Sequence, residues 1–200
     1  MVVRIYADGA AIRNPGPSGY GTVLIIDGHR TELSGGFRYS SNNRAELTSV
    51  IVGLRTLDRP SQAQVISDSE YVVKGSNSWR LKWKKRKWKG VKNLDLWLEL
   101  DALIEKHQAT FRWVRGHTNS NDPDSVENRR CDQLAETAAA KFATGIDMVY
   151  EKLMGYQPKA DRHPVAKPEL LPLEPLSILS DHEKLIQSEL TWINAHLESD

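Results

Sequence analysis

The chain has 200 residues, 40% of them hydrophobic and 26% charged, which suits one domain with a buried core and leaves chain over for an appendage. No apolar run approaches the roughly 20 residues of a membrane span, and the N-terminus enters a strand pattern without a signal-peptide layout. Cys131 is the only cysteine, which excludes an internal disulfide and a Cys-rich zinc site, so the expectation is a cytoplasmic protein with no membrane contact.

The net charge of +1 conceals an asymmetry. From Trp79 to Lys92 every charged residue is basic: Arg80, Lys82, Lys84, Lys85, Arg86, Lys87, Lys89 and Lys92. Without those eight, 19 of the 27 basic residues remain against 26 acids. One short segment is strongly positive on an otherwise acidic molecule, the pattern of a local polyanion contact.

In chain order, Val2–Ala7 reads as a strand ending on Asp8, with Gly9 allowing a sharp turn after it. Asp8 alone reads either as a turn former or as a metal ligand. A loop dense in turn formers, residues 11–19, leads to a buried strand at 21–26, a turn at Asp27-Gly28, and a half-exposed strand at about 30–39. These three strands predict an antiparallel meander. Asn42-Asn43 is expected to cap a helix whose stripe is Leu47, Val50, Ile51, Leu54 and Leu57. Glu46 falls near its start, where the helix dipole favours an acid. Residues 64–69 form a short strand ending on Asp68, parallel to the first through the helical crossover. Asp8 and Asp68 would then lie at the carboxyl ends of neighbouring parallel strands, the edge where open α/β sheets hold ligands.

A helical segment begins at Glu70, and the basic run follows, interleaved with Trp79, Trp83 and Trp88. Cations for phosphates and indoles for sugars or bases favour nucleic-acid binding over a merely solvated face; Trp79 is the Trp expected to anchor the segment to the core. A helix at 94–107 and a strand at 110–114 precede Gly116-His117 and a polar loop expected to be mobile. The helix at about 126–142 carries Asp132 early in its length.

Collected in order, Tyr6-Ala7-Asp8-Gly9-Ala10, Asn14-Pro15-Gly16-Pro17, Asn42-Asn43-Arg44-Ala45-Glu46-Leu47, Ser67-Asp68-Ser69, Gly116-His117 and Asn128-Arg129-Arg130-Cys131-Asp132 resemble the type 1 ribonucleases H of bacteria. The resemblance covers residues 1 to about 143. It implies an α/β ribonuclease H-like fold: a five-stranded mixed sheet, antiparallel meander plus parallel strands, flanked by helices. It also implies an endonuclease cutting the RNA strand of RNA/DNA hybrids to 5′-phosphate and 3′-hydroxyl ends. Asp8, Glu46, Asp68 and Asp132 would hold two Mg²⁺ ions, Mn²⁺ being an alternative, roughly 3.5–4 Å apart, one to activate water and one to stabilise the leaving oxygen. By the same resemblance Asp8 is shared by both ions, and His117 assists proton transfer or product release. Ala11, Asn14, Asn43 and the Glu70 region would read the minor groove with its 2′-hydroxyls. A modified phosphate pocket is expected from Ser41, Arg44 and Lys82, and a protrusion of Trp79, Lys82, Trp83, Lys84, Lys85, Arg86, Lys87 and Trp88 would grip the DNA strand. Three departures stand out: Glu70 where Gln is usual, Lys82 where Asn is usual, and a longer loop between His117 and Asp132. The alternative function is a catalytically weak module binding hybrids or double-stranded RNA, which the full set of acids disfavours.

Beyond the resemblance, residues 144–200 read as an extension. A short helix is expected within Gly145–Tyr156, then a Pro-rich linker or strap, then an amphipathic helix at about 181–197 with a capping box at Ser180–Glu183. That helix is expected to fold back on the domain, with self-association or a protein partner as the other reading.

Overall fold

Residues 3–158 are described by the computed structural model, and their strands assemble into one five-stranded sheet. Strands β1 (Val3–Ala11), β2 (Gly16–Ile26) and β3 (His29–Ser40) form the antiparallel meander, and β4 (Ala63–Ser67) and β5 (Thr110–Trp113) extend it in parallel, giving the order β3-β2-β1-β4-β5. The first strand is therefore central, with both faces covered. Its two-residue alternation sends Val3, Ile5 and Ala7 into a core with Leu47, Val50, Leu54, Trp97 and Leu100. Tyr6 goes to the opposite face with Val23, Ile66, Val114 and Cys131. Asp8 continues the Tyr6 face and Gly9 the Ala7 face.

Two sequence expectations about this strand change. The chain does not turn at Gly9: β1 continues to Ala11, paired with β2 through Ala11↔Ser18. The parallel ladder with β4 instead stops at Tyr6↔Ile66. Asp8 and Asp68 thus lie just past the last parallel pair, at the mouth of a fork between two strands.

Helix α1 (Asn42–Arg55) begins one residue earlier than expected. Ser41 keeps extended angles and is the N-cap, its carbonyl accepting from the Arg44 and Ala45 amides, so Asn42 and Asn43 are already helical. Glu46 lies beyond the first turn, which contains no acid, and the dipole account of it does not apply. A run of α2 (Glu70–Lys74), a π-helical turn at Gly75–Trp79 and α3 (Arg80–Lys85) leads to the basic segment. The widened turn coincides with Gly75, where a Cβ would meet the Trp97 ring at 2.1 Å. Helix α4 (Leu94–Lys106) buries Trp97, Leu100 and Ile104. Helix α5 (Pro123–Lys141) starts earlier than the apolar pattern suggests, because Asp122 accepts from the Ser125 amide and Pro123 follows at the first helical position. It lies so close to β2 that a Cβ on Gly21 would meet the Cys131 carbonyl at 2.1 Å.

A short helix does form in the expected stretch after Gly145: α6 (Met148–Leu153). It is tied back to β3 and α1: Arg38 pairs with Glu151, Ser40 donates to Asp147, and Arg44 pairs with Asp147 at 2.7 Å. The compact unit containing the sheet ends at Met154. The amphipathic helix at about 181–197, and the self-association read from it, lie outside the described residues, as does most of the Pro-rich stretch. Among the described residues no helix is long and apolar enough to cross a membrane.

Candidate active site

Four elements and one loop deliver the predicted acids and the histidine to a single open cleft of about 320 Å³. Asp8 comes from β1, Glu46 from α1, Asp68 from the end of β4, Asp132 from α5 and His117 from the connection after β5. Gly9, Ala10, Ala11, Asn42 and Ser69 complete the wall.

Asp8 is the most enclosed of the four acids, only 7% exposed. Its Oδ1 accepts from the Gly9 amide at 2.7 Å, yet burial, reinforced by the neighbouring Asp68, pushes its pKa up to about 8. Glu46 is oriented by two donors: Asn42 Nδ2 to Oε1 at 2.9 Å and the Ser69 hydroxyl to Oε2 at 2.7 Å. Burial raises it to about 7, against the lowering effect of the Ser69 hydroxyl and with the Asp68 charge adding to the rise. Burial also lifts Asp132, with Glu136 and Asp68 adding and His117 opposing. His117 Nδ1 stands 3.6 Å from Asp132 Oδ2, and its ring is mostly exposed. Among the described residues no ion pair involves Asp8, Glu46 or Asp68.

Three residues with structural duties at the site carried little sequence signal. Ser69 caps α2, its hydroxyl accepting from the Val72 amide while donating to Glu46, so one atom couples α1 to α2. In the sequence Ser69 reads only as the end of the strand at 64–69, and neither partner of its hydroxyl is local to that pattern. Trp113 Nε1 donates to the Asp68 carbonyl at 2.9 Å. Gly116 lies against the Asp68 carboxylate, where a Cβ would be 1.9 Å from Oδ2.

The predicted substrate contacts divide into two sets. Ala11 lines the cleft, Asn14 accepts from the Asn42 amide at 3.1 Å and so joins the first loop to α1, and Asn43 is exposed beside it. Glu70 is exposed and paired with Lys74 at 2.6 Å. Arg44 is turned inward: it is 3% exposed and its guanidinium is shared by Asp95 and Asp147. A buried guanidinium needs matched carboxylates, so Arg44 does not stand with Ser41 and Lys82 on the surface. Lys84 is likewise taken up by Asp101 at 2.8 Å and by Glu105. Trp83 and Trp88 pack directly on the core, Trp83 edge-on to Trp97 at 5.1 Å, and half-buried Trp79 reaches it through Tyr71 and Trp83. Lys82, Lys85, Arg86 and Lys87 remain exposed, and Trp79, Lys82, Trp83, Lys85 and Arg86 line a second hollow of about 430 Å³.

The family model for RNase H matches residues 1–140. The chain belongs to the ribonuclease H family. It is 46% identical over 161 residues to a ribonuclease H of Aeromonas salmonicida, covering 78% of this chain and 97% of that one. It is 43% identical over 155 residues to the ribonuclease HI of Shewanella oneidensis, covering 75% and 95%. Among solved structures it is similar to LC9-RNase H1, described as a type 1 RNase H with the type 2 active-site motif, at TM-score 0.62 and 28% identity over 76% of this chain and 80% of that one. It also resembles the N-terminal RNase H domain of rv2228c from Mycobacterium tuberculosis, at TM-score 0.53 and 29% identity over 70% and 94%.

Ribonucleases H are metal-dependent endoribonucleases that cut the RNA of RNA/DNA hybrids, and the fold and activity expected from the motifs are those of this family. Family membership implies a divalent cation. The side chains of this ribonuclease H fit one in chemistry: the donors are all carboxylate oxygens, and the buried acids could ionise together only against added positive charge. They surround the cleft rather than converging on a point, for among the described residues no three His, Cys, Asp or Glu side chains stand at metal-ligating spacing.

Proposed function

We propose that this chain hydrolyses the RNA strand of RNA/DNA hybrids at the Asp8 cleft, with Mg²⁺ as its physiological cation and Mn²⁺ as a substitute. The observation that carries the reading is the convergence of Asp8, Glu46, Asp68 and Asp132 from four separate elements onto that one cleft. Asp8 would be shared by two ions, Asp132 would hold one, and Glu46 and Asp68 the other. Bound there, the cations supply activation of water and stabilisation of the departing 3′ oxygen, which yields 5′-phosphate and 3′-hydroxyl ends.

The chain's own residues do the rest. Ser69 and Asn42 hold the Glu46 carboxylate in one orientation, and Gly9 holds that of Asp8. His117, facing Asp132, takes or returns a proton at its ring nitrogen and helps product leave. Ala11 in the cleft wall, with Asn14 bonded to the wall residue Asn42 and with Asn43 and Glu70 next in sequence to Asn42 and Ser69, would read the RNA 2′-hydroxyls. Ser41, Lys82, Lys85, Arg86, Lys87 and the Trp79 face meet the phosphates and sugars of the DNA strand. The single buried thiol and the nucleic-acid substrate support a cytoplasmic location.

The test is cleavage of end-labelled RNA/DNA hybrid, duplex DNA and duplex RNA, with Mg²⁺ or with EDTA. Cutting of only the hybrid's RNA strand, lost in EDTA and in Asp8→Asn while hybrid binding persists, is the expected result. Appreciable turnover by Asp8→Asn would sink the assignment.

A further inference from the structure

The connection from β5 to α5, residues 114–122, carries His117 and contains no helix or strand. Only Val114 of it is buried, so apolar packing does little to hold it. Polar contacts hold it instead. At its start the Val114 amide donates to the Ser67 carbonyl at 3.1 Å. Near its middle Arg129 Nη1 donates to the Thr118 carbonyl at 2.7 Å and to the Ser120 carbonyl at 2.6 Å. At its end Asp122 caps α5. The first turn of α5 is fastened to the sheet in turn, because Asp124 accepts from the Tyr6 hydroxyl at 2.8 Å and pairs with Arg112.

Arg129 lies three residues before Asp132, on the same face of α5. One guanidinium therefore ties the loop to the helix whose acid faces His117. His117 itself has a φ of 51°, a backbone state that residues other than glycine seldom adopt without support from their surroundings. The bonds to Thr118 and Ser120 supply that support immediately after it.

We infer that Arg129 is a positioning residue: by binding the two carbonyls just beyond His117 it holds the imidazole against Asp132, and so sets the rate of the step His117 assists. The inference rests on the role given to His117 above. It also accounts for how a long polar connection keeps a histidine in place. Arg130, the adjacent cation on the helix, is turned away to Glu32 at 2.8 Å and does not touch the loop.

The experiment compares Arg129→Ala, Arg129→Lys, His117→Ala, the double Arg129→Ala/His117→Ala, and Arg130→Ala as a control for lost charge. It reads kcat and KM on a labelled hybrid in Mg²⁺, together with amide hydrogen exchange across residues 117–121. Arg129→Ala is expected to lower kcat about tenfold with KM within about twofold, to speed exchange at 118–120, and to have no further effect on kcat once His117 is gone. Arg129→Lys, keeping one donor, recovers part of kcat, and Arg130→Ala stays within about twofold of the parent. An equal kcat loss in the His117→Ala background, or faster exchange with unchanged kcat, or unchanged exchange, would overturn the inference. Full activity of His117→Ala on its own would overturn the role of His117, which that single variant reports separately from the clamp.

Discussion

Gly9 and Glu46 are pressed together so closely that a Cβ on Gly9 would lie 2.3 Å from the Glu46 backbone nitrogen. Gly9 is thus needed for the approach of α1 to β1, and that approach brings the Glu46 carboxylate to the Asp8 cleft. Gly9→Ala has to push backbone against backbone. It should cost about 2 kcal/mol or more of stability and, by displacing Glu46, lower hybrid cleavage by at least about tenfold. Thermal unfolding and single-turnover cleavage check both; a variant with parental values in each would show that α1 does not need the contact.

Asp8 makes the metal-free protein lose stability as pH rises. Folded Asp8 keeps its proton up to about pH 8, whereas its ordinary value is 3.8, so between these the unfolded state is the one that ionises. Stability is therefore highest below about pH 4 as far as this group is concerned, and declines towards pH 8; Glu46, raised to about 7, adds in the same direction. In EDTA, Asp8→Asn should be more stable than the parent by about 2–4 kcal/mol at pH 8 and by much less at pH 5. Mg²⁺ should stabilise the parent and scarcely affect the variant. Denaturant melts at the two pH values decide it, and an equal gain at both would refute the assigned cause.

Gly116→Ala separates activity from stability. The atom its Cβ would strike is the Asp68 Oδ2, the free end of a side chain, which can swing aside at little cost to the fold. The displaced carboxylate would no longer serve the cleft. Tm should stay within a few degrees of the parent while kcat falls about a hundredfold, approaching the level of Asp68→Asn.

Two basic residues assigned to the substrate by position are engaged with the protein's own acids. Removing Arg44 strands Asp95 and Asp147 in the interior, and Arg44→Ala should cost about 3–5 kcal/mol in denaturant unfolding with hybrid affinity changed by no more than about threefold. Lys84→Ala should leave the salt dependence of hybrid binding unchanged, because Lys84 is paired with Asp101 and Glu105. Lys85→Ala, at an exposed position, should reduce the magnitude of the logarithmic salt slope by about one. The reverse ranking of the two lysines would place Lys84 on the DNA strand instead.

The order of elements and the parallel pairing of the first strand with the strand at 64–69 were legible from the chain alone, and so were the four acids and His117 as the residues that the fold gathers at one cleft. Those features are local or periodic: a two-residue alternation, a helical stripe, an acid where an apolar run ends. The sense of several residues was not. Gly9 looked like a turn residue and is a contact site for α1; Arg44 and Lys84 looked like phosphate ligands and are internal counter-ions. Their partners, Asp95, Asp147, Asp101 and Glu105, are distant in sequence, and a basic residue carries no local mark of which acid it will meet. The same holds for Ser69, Gly116 and Arg129, whose contacts with Glu46, Asp68 and the loop carbonyls exist only once separate elements have been packed against one another. Composition and periodicity determine which faces are buried; close packing of those faces decides which polar atoms meet across them, and in this protein that meeting builds the site.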